Sequence, residues 1–145
     1  MKFQTEIDID ATPDAVWQVL SDVESWPKWT ASMTSIQLLQ QGDLKVGSTA
    51  KVTQPKLKPA VYTVTECEPG KSFVWSMKAA GVTVRGGHYV VDRGEGKTRM
   101  TLTIDQSGAL SGLIGMLFGK RAREYVQMEA EGFKKAAEGV TSGTD

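Results

Sequence analysis

The last third of this 145-residue chain constrains its fold most. From about Leu110 to Glu138 the residues read as one helix, after about seventy residues that read as consecutive β-strands. Such a helix would extend roughly 43 Å at about 1.5 Å per residue, more than is needed to plug a sheet of about six or seven strands. A long helix lying across a curved sheet is expected to leave a hollow.

A chain of this size buries about 68 to 70 % of its unfolded surface, enough for one domain without a disulfide or structural metal. We expect that domain over residues 1–140, with 141–145 a polar tail. Lys plus Arg equals Asp plus Glu at 17 each, so no global charge points to nucleic acid or an anionic membrane as partner. The opening Met1–Glu6 lacks a signal-type apolar run, and no segment approaches the roughly 20 apolar residues of a membrane span. With Cys67 as the single cysteine, the expectation is a cytoplasmic monomer or homodimer with no integral membrane association.

Phe3, Ile7 and Ile9 alternate with polar residues, the period of a half-buried strand. Thr12 before Pro13 starts a helix, since the hydroxyl accepts an early N–H and Pro sits where no N–H partner is needed. Val16, Val19, Leu20 and Val23 form its apolar stripe. Pro27 disfavours helical geometry at Trp26, so a second short helix or turn follows. Strand-like stretches then occupy 33–41, 47–54, 60–68, 72–80, 82–92 and 97–106, separated mostly by glycine turns and by the longer break at 55–59. Short connections favour an antiparallel meander, whose alternate turns fall at alternate ends. The 55–59 loop, the 79–82 turn and the 107–110 junction therefore share one end, where a cavity mouth is expected.

This order, with Ile7–Trp17, Trp26-Pro27-Lys28-Trp29, Tyr62–Pro69 and Gly96–Thr101, resembles the START-like, or helix-grip, superfamily, and within it the polyketide cyclase/dehydrase-like proteins. The resemblance covers nearly the whole chain. It implies an α+β helix-grip fold: a curved antiparallel sheet of about seven strands, two short helices after the first strand, and a long C-terminal helix packed across the sheet. It also implies an apolar pocket for a lipid, polyketide or similar small molecule.

Alternation places Phe73, Trp75 and Met77 on one strand face, and Met100, Leu102 and Ile104 on another, all as inward candidates. Strand 82–92 is open to two parities. One turns Val82, Val84, Gly86, His88 and Val90 inward; the other turns Thr83, Arg85, Gly87, Tyr89 and Val91 inward, and the family pattern favours the second. A bulge at Gly86-Gly87 would shift parity partway. An inward Arg85 would suit a ligand carboxylate, enolate or carbonyl, whereas an outward one is a solvated surface residue. His88, the single histidine, would be the general base if a proton moved, or else structural. Tyr62 and Tyr89 are either ligand-orienting hydroxyls or core. Trp26 and Trp29 either rim the cavity or pack, Trp29 in the core and Trp26 bracing the turn before Pro27.

Gly112, Gly115 and Gly119 soften the start of the long helix by about 1 kcal/mol each relative to Ala. Close approach to sheet or ligand would compensate, with Leu113 and Leu117 as ligand candidates; a movable gate and a contact surface are the alternatives. Beyond Lys120 the residues Arg121, Arg123 and Glu129 read as solvated decoration. Cys67 has no CxxC partner, one Cys and one His make no metal cluster, and Gly94-Glu95-Gly96 lacks a nucleotide setting. No cofactor is expected. The residues thus point to a container for a small apolar ligand. A polyketide cyclase or aromatase using the same cavity is the alternative, and a protein-interaction module a weaker one.

Overall fold

The computed structural model describes residues 2–79 and 81–142, without the side chains of 114, 117, 118 and 140–142. Strand β1 (Lys2–Ile9) leads into helix α1 (Pro13–Ser21) and a 3₁₀ helix at Val23–Lys28. Strands β2 (Ser35–Leu38), β3 (Thr49–Thr53), β4 (Ala60–Glu68), β5 (Ser72–Ala79), β6 (Val82–Gly94) and β7 (Lys97–Ser107) follow, and helix α2 (Ser111–Ser142) closes the order. The strands make one antiparallel sheet in the order β1-β7-β6-β5-β4-β3-β2, the meander with its first strand on one edge. This is the α+β helix-grip fold expected from the sequence. β2 and β3 are shorter than the stretches read there, while β6 and β7 are longer. Helix α2 has 32 residues, roughly 48 Å at about 1.5 Å each. Of the tail expected over 141–145, residues 143–145 lie outside the described residues.

Local chemistry explains the small elements. The Thr12 hydroxyl accepts the Ala15 N–H at 3.2 Å, and Pro13 occupies the first turn. Val16, Val19 and Leu20 bury the apolar stripe of α1. α1 ends at Ser21, and the chain tightens to 3₁₀ geometry over Val23–Lys28, with Pro27 inside that helix and the Trp26 indole N–H donating to the Leu20 carbonyl at 3.1 Å. Trp26 is fully buried, with ring centroids of Phe73, Trp75, His88 and Phe133 between 4.9 and 6.2 Å away. The expected roles of the two tryptophans are therefore exchanged: Trp26 is the hub of the core, and Trp29 is half-buried at its edge.

On α2 the buried stripe is Val126, Ala130, Phe133 and Ala137, a helical repeat facing the sheet and α1. The glycine that allows close packing is Gly132, where a Cβ would overlap the Trp29 carbonyl. At Gly112 a Cβ would meet nothing within 4 Å, so close approach does not explain that residue.

The turn alternation holds. The Leu110 N–H donates to the Gly81 carbonyl at 3.1 Å, and the Tyr125 hydroxyl donates to the Pro55 carbonyl at 3.0 Å. The loop before β4, the β5–β6 turn and the entry to α2 are thus gathered at one end of the sheet, and α2 is tied to that end by side chain as well as backbone.

Candidate functional site

Between the inner sheet face and α2 lies a cavity of about 610 Å³. Trp26, Trp75, Leu102 and Val126 supply apolar wall, β6 supplies Val84, Gly86 and His88, and α2 adds Arg121, Tyr125 and Glu129. The wall reaches Leu57, Lys58 and Ala79 at the gathered end, and those three residues are exposed, so the cavity meets solvent there.

Of the residues singled out from the sequence, Trp75, Met77, Leu102 and Tyr62 line this space. Met100 faces inward as expected but is sealed in the core, opposite Ile7 on β1 and Val90 on β6, away from the cavity wall. Trp29 does not reach the wall either, and Leu113 is 52 % exposed. The side chain of Leu117 lies outside the described residues.

Arg85 and Tyr89 lie on the outer sheet face, contrary to the family-based expectation. Arg85 pairs there with Glu66 at 3.7 Å, and both side chains are largely solvated. The β5–β6 register decides the matter: Phe73 is opposite His88, Trp75 opposite Gly86 and Met77 opposite Val84. Directly opposed residues share a face, so the inward set of β5 turns the even-numbered residues of β6 inward. The pairing runs unbroken from Val82 to Tyr89, without a bulge at Gly86-Gly87.

Three of the ionisable side chains that line the cavity, from three elements, are held away from their ordinary pKa. His88 is 4 % exposed, stacks on Phe73 with centroids 4.1 Å apart, and its Nδ1 lies 3.2 Å from the Phe73 carbonyl. A carbonyl only accepts, so this contact fixes the proton on Nδ1. Burial pushes His88 down to about 4, against the opposing effect of that hydrogen bond, and the imidazole is neutral near pH 7. Glu129 is 8 % exposed and accepts the Ser32 hydroxyl at 3.1 Å; Ser32 is in turn 2.9 Å from the Thr30 hydroxyl. Burial pushes its carboxyl up to about 7, only partly offset by Ser32. Tyr62 is pushed up to about 12, first by burial and then by the Glu129 charge, so its phenol keeps its proton.

Glu129 and Arg121 were read from the sequence as solvated decoration, and both belong to the cavity wall. The signal was present: Glu129 stands three residues after Val126 and four before Phe133, within the buried stripe. The carboxylates Glu66 and Glu68, near the end of β4, are exposed. Among the described residues no group of three His, Cys, Asp or Glu could hold a metal ion, and no helix is long and apolar enough to cross a membrane.

No curated protein matches the sequence. Similar solved structures include a hypothetical protein from Helicobacter pylori, at 17 % identity and a TM-score of 0.81, covering 94 % of this chain and 88 % of that one. An aromatase/cyclase from Streptomyces sp. R1128 has 15 % identity and a TM-score of 0.71, covering 98 % and 93 %. A START superfamily protein from Mycobacterium smegmatis has 14 % identity and a TM-score of 0.70, covering 92 % and 97 %. At these identities the likeness is one of fold. The sequence itself matches, over residues 1–138, the family described as polyketide cyclase/dehydrase and lipid transport. With nearly the whole chain inside that match, the protein belongs to this family.

Proposed function

We propose that this protein binds a small, largely apolar molecule in the cavity between the sheet and α2. The observation that carries the reading is the cavity: about 610 Å³, walled by Trp26, Trp75, Leu102, Val84 and Val126, with a few polar groups among them. Space of that size and character suits a drug-sized ligand and would be costly to keep empty of one. Its family membership and the folds of the aromatase/cyclase and START neighbours support the same reading.

Titration with 2-isopropylnaphthalene, a neutral hydrocarbon, tests it. Saturable 1:1 binding with a Kd on the order of 1 to 100 μM is expected, weakened at least tenfold by the cavity-filling substitution Val84→Trp or Ala122→Trp. Folded wild-type protein that shows no saturable binding would overturn the reading.

A second reading is a cyclase acting on a poly-ketone held in the same space. It is favoured by the presence of Glu129, His88 and Tyr62 around one cavity, groups able to move or lend a proton. Turnover of a poly-β-ketone thioester that is lost in Glu129→Gln, with affinity for the substrate retained, would select this reading over pure carriage.

A further inference from the structure

We propose that Glu129 is a ligand-recognition group, presenting a neutral carboxylic acid O–H to the cavity so that the site selects apolar molecules carrying a carbonyl oxygen. The proposal rests on the cavity being a ligand site and specifies what that ligand must display.

The geometry assigns the two carboxyl oxygens different tasks. Oε1 accepts the Ser32 hydroxyl at 3.1 Å, and Ser32 and Thr30, both buried, lock that side of the group. Oε2 takes no hydrogen bond from any described residue, although Glu129 is 8 % exposed and lines the cavity. A buried carboxyl with one satisfied oxygen and one left for the cavity is expensive unless a ligand or water completes it. No Lys or Arg makes an ion pair with it among the described residues, so the Ser32 hydroxyl is left to offset the cost of burying the anion, and does so only in part. The neutral acid is then the favoured form below about pH 7, where burial has pushed the carboxyl. With Ser32 kept as the donor to Oε1, the acid proton sits on Oε2, the oxygen left for the ligand. Tyr62 adds a second hydroxyl to the cavity lining from β4, free of hydrogen bonds to the described residues.

Other groups near the cavity do not blur the effect. His88 from β6 titrates near 4 and Tyr62 from β4 near 12, both outside the range over which Glu129 changes charge. Lys58 from the loop before β4, and Arg121 and Tyr125 from α2 itself, complete the ionisable wall. The other elements packed on α2 are α1, β1 and β7, and their Asp14, Glu6, Asp8, Arg99 and Asp105 do not line the cavity.

Two near-isosteric neutral probes test the inference: 2-acetylnaphthalene, which has a carbonyl, and 2-isopropylnaphthalene, which has none. The quantity read is the ratio of their affinities, because the ketone is better solvated in water. At pH 5.5 that ratio should fall about fivefold to tenfold on Glu129→Leu, the size of one buried hydrogen bond. Glu129→Gln should preserve it, since the amide carbonyl can keep Ser32 while the amide N–H donates to the ketone. Raising the pH to 8.5 should lower the ratio in wild type and leave it unchanged in Glu129→Gln. The carbonyl stretch of bound 2-acetylnaphthalene should lie at lower frequency in wild type than in Glu129→Leu at pH 5.5. If both probes bind while the ratio ignores Glu129 and pH, the carbonyl preference is wrong and the container reading stands. If the pH trend reverses and 2-(aminomethyl)naphthalene becomes the preferred probe at pH 8.5, Glu129 serves a cation and the proposal is overturned. Failure of both naphthalenes to bind removes both readings.

Discussion

Gly86 faces Trp75 across the β5–β6 pair, and a Cβ on Gly86 would sit 3.2 Å from the indole Nε1. The missing side chain gives the indole its place against the sheet, where Trp75 is 3 % exposed, in tilted or edge contact with Trp26, Phe73 and Tyr62. Gly86→Val should push the indole into the cavity. A stability loss of about 1 to 3 kcal/mol in urea denaturation is expected, together with weaker binding of 2-isopropylnaphthalene. Wild-type affinity in this variant would mean that Trp75 does not shape the cavity.

Glu129 and His88 set opposite pH dependences of stability. The Glu129 carboxyl is raised from 4.5 to about 7, so the fold favours its proton; the unfolded chain ionises first, and stability is lost as pH rises through that window. His88 is lowered from 6.5 to about 4, so the fold favours the neutral ring, and stability is lost as pH falls through 6.5 toward 4. In wild type the two trends largely offset each other between pH 4.5 and 6.5. Glu129→Gln removes one of them: the variant should be more stable than wild type at pH 8 by up to about 3 kcal/mol, with the difference vanishing near pH 4. Urea midpoints measured across that range check the sign.

The outward placement of Arg85 and Tyr89 carries its own expectation. Arg85→Ala loses a solvated ion pair with Glu66, worth about 0 to 1 kcal/mol. Neither Arg85→Ala nor Tyr89→Ala should change the affinity of a naphthalene probe by more than about twofold. A tenfold loss from either would return the odd-numbered residues of β6 to the cavity and contradict the register.

Two glycines of α2 should respond oppositely to the same change. Gly132→Ala forces a methyl against the Trp29 carbonyl and should cost about 2 kcal/mol or more, since backbone has no rotamer with which to yield. Gly139→Ala meets nothing within 4 Å and should add up to about 1 kcal/mol through helix propensity alone. Thermal unfolding of the pair separates packing from propensity.

The element order and the ends of the sheet were legible because they rest on local signals: the Thr12-Pro13 start, the period of β5 and β7, and the glycine turns. The face of β6 was not, because both of its parities mix apolar and polar residues, so the strand's own pattern does not choose. Its register with β5 chooses, and Trp75 opposite Gly86 was the available hint. Glu129 was missed for a different reason. A carboxylate on a helix rich in Lys and Glu reads as solvent-facing unless its position in the stripe is weighed above its charge, and an ionisable residue on the buried face is a break in local consistency of the kind that marks functional sites. Trp26 and Trp29 differ by one turn of chain around Pro27, and only the 3₁₀ geometry decides which indole enters the core.

Methyl chemical-shift mapping with 2-isopropylnaphthalene tests the central claim most directly. The largest shifts should fall on Val84, Leu102 and Val126 of the cavity wall, while Val61 and Val91, exposed on the outer face, stay unmoved. Shifts confined to Val61, Val91 or Leu113, with the cavity methyls silent, would contradict the assignment of the interior as the ligand site.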